Sequence, residues 1–277
     1  MKPARFDYAC PDTLDEALAL LAEEGPAARV MAGGQSLAAM LNMRLVEPRV
    51  VLDISRLHEL AYITANDLYV EVGAAVTQRE LLAWPALADK LPLIAQMLPH
   101  VGHTQTRARG TVCGSLAHAD PSSELPLALA LLNGEVVLQS RTGIRTLAAR
   151  AFHTGLMTTA VEPFELIRAV RFPVLGDAAV TAFTEVSQRH GDFALTAVAL
   201  TGDRRRIRIG VAGVEDRPKV LDLLWRDDAS LQDEIQAKVS TMHGSDDIHA
   251  SGAYRRDLVP HLAMRLIEEA RDALSAR

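Results

Sequence analysis

Two stretches of this chain carry the residue types that grip a phosphate. In Ala32-Gly33-Gly34-Gln35-Ser36-Leu37 a glycine pair follows an apolar segment. In Thr111-Val112-Cys113-Gly114-Ser115-Leu116-Ala117-His118-Ala119-Asp120-Pro121-Ser122-Ser123-Glu124, glycine and hydroxyls precede two carboxylates. Successive backbone N–H groups in a tight glycine turn form an anion-binding concavity, favoured where a helix begins beyond it. A Cβ in such a turn obstructs close approach or forbids a positive φ. Ser36, Thr111 and Ser115 add hydroxyl donors, and Asp120 or Glu124 can accept hydrogen bonds from ribose or flavin-side-chain hydroxyls. Together the two stretches point to a bound dinucleotide.

Simpler motifs do not account for them. The first loop lacks the Lys-Ser/Thr pair of a P-loop and the third glycine of a G-x-G-x-x-G fingerprint. The plainer reading of the second stretch is a capped helix start at 120–124, which leaves ligand contact open. His100, His103, His118 and Asp120 have zinc-type side chains, but their spacing matches no helix-based zinc motif. No G-x-S-x-G elbow supplies a hydrolase nucleophile.

The elements that must position these loops follow from periodicity. Thr13 with Glu16 forms a capping box for a helix whose Leu14, Leu18 and Leu21 share a face, and Gly25-Pro26 stops it. Strands are expected at 29–32 and 50–54, with a helix over 37–45 between them, giving a small first lobe over about 1–57. From Ala61 an alternating pattern begins, with Leu68, Val70 and Val72 on one face. Helices follow from Thr77, over 91–98 and over 124–132, with strands at 136–138 and 166–170, forming a second lobe over 58–175. The Gly176-Asp177 segment within 173–179 reads as a linker. Strands near 180–186, 194–200 and 207–214 and helices near 231–242 and 254–274 form a smaller C-terminal domain, 176–277. The mixture is α+β rather than doubly wound.

Composition narrows the class. With 277 residues, 49% of them hydrophobic, and a net charge of −6, the chain suits one large or two modest domains. It does not suit a general nucleic-acid or anionic-membrane surface. Arg204-Arg205-Arg206 reads as a solvated turn entering a strand. Cys10 and Cys113 are far apart, with no C-x-x-C, so neither a disulfide framework nor an iron–sulfur site is signalled. The N-terminus has no secretory apolar core and no run approaches a membrane span, so a cytoplasmic location is expected.

The pair A-G-G-Q-S-L and T-V-C-G-S-L-A-H-A-D-P-S-S-E-L-P resembles the FAD-binding medium subunit of molybdenum hydroxylases, the group containing carbon monoxide, nicotine and xanthine-type dehydrogenases. The resemblance extends over the whole chain, through Gln105-Thr106-Arg107, Glu165-Leu166-Ile167 and Arg189-His190-Gly191-Asp192-Phe193-Ala194. It implies a two-lobed FAD-binding domain of the PCMH type followed by a smaller α+β domain. It also implies that FAD is held with its pyrophosphate on Ala32, Gly33, Gly34, Gln35, Ser36 and Leu37. Thr111, Gly114 and Ser115 would surround the flavin and its linker, with Ala119, Asp120 and Glu124 completing the second motif. Val101 and Ile167 match apolar positions on the cofactor, and Phe193 an aromatic one near the isoalloxazine. Gln35 stands where many relatives have His, and Cys113 where they have Gly, which puts a small side chain beside the cofactor.

The implied activity is electron transfer. Electrons would come from iron–sulfur clusters of a small subunit, after substrate hydroxylation on a large molybdenum-cofactor subunit, and pass from FAD to an external acceptor. The expected assembly is a dimer of heterotrimers, with no nucleic acid and no membrane insertion. The alternatives are a self-contained FAD-dependent oxidase or reductase, and a nucleotide-binding assembly subunit without turnover.

Overall fold

A computed structural model of the chain describes residues 2–226 and 230–276. The first lobe runs β1 (Asp7–Ala9), α1 (Leu14–Glu24), β2 (Ala28–Met31), α2 (Leu37–Asn42) and β3 (Val50–Asp53). Its parallel sheet has the order β1-β3-β2. Thr13 caps α1 through the Glu16 N–H, and Gly25, at φ +50°, ends it. The helix expected over 37–45 is shorter, because Arg44 adopts φ +55°. Three-residue β1 escapes the periodicity argument: it is too short to display an alternation, and Tyr8 and Asp7 are exposed. The Tyr8 hydroxyl donates to Asp53 Oδ2 at 2.6 Å, fastening it to β3.

The second lobe opens with β4 (Ile63–Ala65) and β5 (Tyr69–Gly73). The helices α3 (Gln78–Leu82), α4 (Leu87–Lys90), α5 (Pro92–Met97), α6 (Thr104–Arg107), α7 (Val112–His118) and α8 (Glu124–Leu131) follow. It closes with β6 (Glu135–Ser140), β7 (Gly143–Ala148), α9 (Ala149–Phe152), β8 (His153–Gly155), β9 (Thr158–Thr159) and β10 (Leu166–Pro173). Its main sheet is antiparallel throughout, ordered β4-β5-β10-β6-β7. Val70 and Val72 are buried as the alternation requires, whereas Leu68 lies ahead of the strand and is exposed. Helix α7 falls where the sequence announces no element, because glycine, serine and cysteine have weak helix propensity and tertiary packing overrides it.

The C-terminal part is the antiparallel meander β11 (Val180–Ser187), β12 (Ala194–Gly202), β13 (Arg206–Ala212), β14 (Lys219–Leu224), followed by α10 (Ser230–Ser240) and α11 (Gly252–Ser275). Arg204 and Arg205 lie in the β12–β13 turn, where the Asp203 carboxylate accepts the Arg205 and Arg206 N–H groups. Strand β12 is buried on both faces, and alternation sorts its residues. Val198 and Leu200, with Ile207, Ile209 and Val211 of β13, join α10 and α11 in one core. Ala194, Ala197, Ala199 and Ala212 instead join the large core shared by the first two sheets. These small side chains let α8, buried along nearly its whole length, lie close against the C-terminal sheet.

Candidate functional site

The glycine loop between β2 and α2 leans on the second lobe at Arg109 and Gly110. A Cβ on Gly33 would collide with the Arg109 carbonyl oxygen and stand 2.8 Å from the Gly110 Cα. Glycine is therefore required here for backbone-to-backbone approach. Gly34 has a different reason: its φ is +71°, while the nearest atom to an added Cβ is the flexible Met31 Sδ at 3.3 Å. Among the described residues no acceptor takes a hydrogen bond from the backbone N–H groups of residues 33–37. Gln35 is exposed and its Nε2 donates to the Gly33 carbonyl at 3.3 Å, which closes the turn.

Gly110 leads straight into the second motif. Thr111 is buried, pairs with Thr77 in an isolated bridge, and caps α7 by accepting the Gly114 N–H at 2.9 Å. A Cβ on Gly114 would stand 2.7 Å from that same Oγ1, so glycine keeps the cap intact. Ser115 is half-buried on α7, and Ala119 ends the helix at φ +55°. Asp120 accepts the Ser122 N–H at 2.8 Å, turning the chain towards buried Glu124 at the start of α8. The Cys113 thiol turns away from this rim into the core, where its Sγ lies 3.6 Å from the Val72 carbonyl oxygen and burial pushes its pKa up.

The rim continues to the C-terminal domain. Buried Val101 is held by Arg107, whose Nη1 donates to the Val101 and Gly102 carbonyls at 3.0 and 2.8 Å. A Cβ on Gly191 would stand 2.7 Å from the Gly102 carbonyl oxygen, so the β11–β12 turn rests on this segment. That turn carries Phe193, which is exposed. Ile167 is buried on the central strand β10, opposite Leu138 and beside a bulge, rather than on the rim.

Three features escape the motif reading. Gln78 is buried with an Oε1 that has no partner, and it would stand 3.2 Å from a Cβ on Gly110. Thr77-x-x-Glu80 announces the helix start but not the inward turn of Gln78. Arg107 closes the Gln105-Thr106-Arg107 stretch, yet its carbonyl clamp has no sequence signature. His100 pairs with Glu185 across 85 residues, which no local pattern encodes. Electrostatically, burial pushes the Glu124 carboxyl up to about 8, against its own backbone N–H and with Glu185 and Asp120 adding to the rise.

The donor set suits FAD: undonated N–H groups in a Cβ-free turn fit a pyrophosphate, and the hydroxyls and acids beyond fit a polyol. Fold and site together define an α+β dinucleotide-binding protein built from two lobes and a C-terminal sheet domain.

Comparison with known proteins narrows this. Residues 4–175 match the FAD binding domain in molybdopterin dehydrogenase. The chain is 34% identical to the glyceraldehyde dehydrogenase medium chain of Sulfolobus acidocaldarius, over 97% of this chain and 99% of that one. It is 35% identical to the nicotine 6-hydroxylase medium subunit of Paenarthrobacter nicotinovorans, over 98% and 99%. Quinoline 2-oxidoreductase from Pseudomonas putida 86 superimposes with a TM-score of 0.91 at 31% identity, covering 99% of both chains. The chain belongs to the FAD-binding subunits of the molybdenum hydroxylases, and is an oxidoreductase flavoprotein.

Proposed function

We propose that this chain is the electron-exit subunit of a multi-subunit molybdenum hydroxylase, receiving electrons from a partner's iron–sulfur clusters and passing them to an external acceptor. The observation that carries the reading is the full-length match to relatives named medium chains and subunits, in a chain with two distant cysteines. Such a chain cannot ligate a cluster itself. When bound, FAD supplies a centre that takes and gives electrons singly or in pairs.

The residues divide the work. The N–H groups of Gly33, Gly34, Gln35, Ser36 and Leu37, with Ala32 setting the turn, bind the pyrophosphate. Thr111, Gly114 and Ser115 bracket the linker, while Asp120 and Glu124 accept its hydroxyls and Ala119 shapes the turn between them. Val101 and Phe193 exclude water from the cofactor, while Ile167, expected beside it, packs in the core on β10 instead. No acid or base catalyst is required of this chain. We also assign the boundary of the FAD-binding domain near residue 175, a large molybdenum-cofactor subunit and a small iron–sulfur subunit as partners in a dimer of heterotrimers, and a cytoplasmic location. No helix among the described residues is long and apolar enough to cross a membrane.

The test is anaerobic reduction with the aldehydes and N-heteroaromatics named for the relatives. Flavin bleaching by one of these is expected in the complex with both partner subunits and absent from the chain alone. Bleaching of the isolated chain by substrate would favour a self-contained oxidase or reductase.

A further inference from the structure

A chain of titratable groups runs from solvent into the joint between the second lobe and the C-terminal domain. His190, in the β11–β12 turn, is exposed, and its ring lies 5.4 Å from that of His100 in the turn after α5. The His100 side chain is 34% exposed, and its Nδ1 lies 3.1 Å from Glu185 Oε1 on β11. The Glu185 side chain is 2% exposed, and its second oxygen has no hydrogen-bond partner. Phe183, two residues earlier on the same face of β11, meets the His100 ring edge-on at 5.2 Å and walls off the pair.

No lysine or arginine among the described residues bonds this carboxylate directly, and the nearest guanidinium on the His100 segment, Arg107, is taken up by the Pro99, Val101 and Gly102 carbonyls. Alternation along β11 sends Thr181, Phe183 and Glu185 towards α5 and its following turn, where Gln96 bonds Thr181. It sends Thr184 to the opposite face, where Arg265 of α11 bonds it. Ala197 is the registered neighbour of Glu185 on β12. The groups beside the pair are therefore the imidazoles of His100 and His190, with His103 under the same turn and Glu124 and Asp120 at the start of α8. A buried carboxylate with an unpaired oxygen is strongly disfavoured in its charged form, so it gains by taking a proton. Burial accordingly raises Glu185, with His100 opposing the rise. The cluster adjoins the rim, since His100 precedes Val101 and His190 lies three residues before Phe193.

We propose that His190, His100 and Glu185 form a proton path into the joint, and that the buried Glu185 carboxylate takes up a proton when an electron reaches FAD bound at this rim. The inference rests on the reading that the flavin end of FAD lies at Val101 and Phe193. The electron comes from a one-electron reductant. The proton comes from water, passes over the two imidazoles and ends on a carboxylate oxygen, so the net charge of the joint is unchanged. When the electron leaves for an acceptor, the proton returns to water by the same groups. Added negative charge nearby further disfavours the ionised Glu185 carboxylate, which supplies the coupling.

The test uses the full FAD-loaded chain. Spectroelectrochemical titrations between about pH 6 and about pH 9 give the slope of midpoint potential against pH, and Glu185→Gln is expected to make that slope shallower by about half. Stopped-flow mixing with reduced methyl viologen, which releases no proton, follows uptake by a pH indicator. His190→Ala, an exposed change that leaves the packing alone, is expected to slow uptake about tenfold. If Glu185→Gln does not fold, this rate decides. Phe193→Ala reports on location: a flavin band moved by that change, together with an unchanged slope in Glu185→Gln and unchanged uptake in His190→Ala, overturns the proton path alone. An unmoved band overturns the flavin's placement and the path with it.

Discussion

A methyl group on Gly33 has nowhere to go, because the Arg109 carbonyl already occupies its place, whereas a side chain on Gly34 has room but the wrong backbone angle. The two substitutions should therefore fail differently. Gly34→Val is expected to lose FAD, measured by release on denaturation and chromatography, while its far-ultraviolet dichroism is preserved; the strained φ costs about 1–3 kcal/mol. Stoichiometric FAD in Gly34→Val would remove the pyrophosphate from this loop. Gly33→Ala should push the lobes apart and lower the melting temperature as well as FAD content. Glu124 gives a pH prediction whose sign follows from its raised pKa. The folded chain holds that proton up to about pH 8 while the unfolded chain releases it near 4.5. Its contribution is thus complete at acid pH and is lost as pH rises through that window. Relative to Glu124→Gln, the flavin-stripped native chain should lose on the order of 2–4 kcal/mol between those limits. Parallel melting curves for the two would show that Glu124 is not buried as a neutral acid. The glycine motifs were legible in the sequence because chemistry there is written in consecutive residues. The Arg107 clamp, inward Gln78 and the His100–Glu185 pair were not, because each depends on segments the fold brings together.

Helix α8 is the element on which both halves close. Its Leu127 and Leu131 lie over Gly210 of β13, where an added Cβ would stand 2.8 Å from Leu127 Cδ1 and 3.4 Å from Leu131 Cβ. Gly210→Val overpacks this seam and should cost about 1–3 kcal/mol, read as a lower urea midpoint. An unchanged midpoint would mean that the helix rides loosely on the sheet. The seam explains which elements the sequence announces. Strands and helices with one wet face, such as α1 and β5, display their period plainly. Helix α8 is apolar on every side and shows only a continuous hydrophobic run, bounded by its acidic start at Glu124. The short pairs β1 and β8–β9, and the strands β7 and β14, carry too little alternation to stand out, and their partners fix them. Helix α7 is the clearest override, a glycine-bearing segment made helical by its Thr111 cap and by burial of Val112, Cys113 and Leu116.

At the scale of the molecule, three parts meet along one rim but are joined by quite different means. The first lobe shares a continuous core with the second, and the C-terminal sheet reaches that core only with one face, through Ala194, Ala197, Ala199 and Ala212 at the seam under α8. It is further tied by Gln96 to Thr181, by Arg208 to the Leu131 carbonyl and Asn133, and by the turn resting on Gly102. The covalent link between them, at 176–178, is exposed. Limited proteolysis should therefore cut there first and leave a nicked protein that stays together. Its two fragments are expected to co-elute on size exclusion with FAD still bound, because no rim residue lies in the linker and the seam buries apolar surface on both sides. Adding urea to the nicked form should release the C-terminal fragment before the larger fragment loses its dichroism, since the two sides retain separate helices and sheets. Loss of FAD on nicking alone, with the fragments still associated, would instead require residues 176–178 to hold the cofactor. Fragments that part at once in buffer would show that chain connectivity, rather than the α8 seam, keeps the β11–β12 turn seated on Gly102.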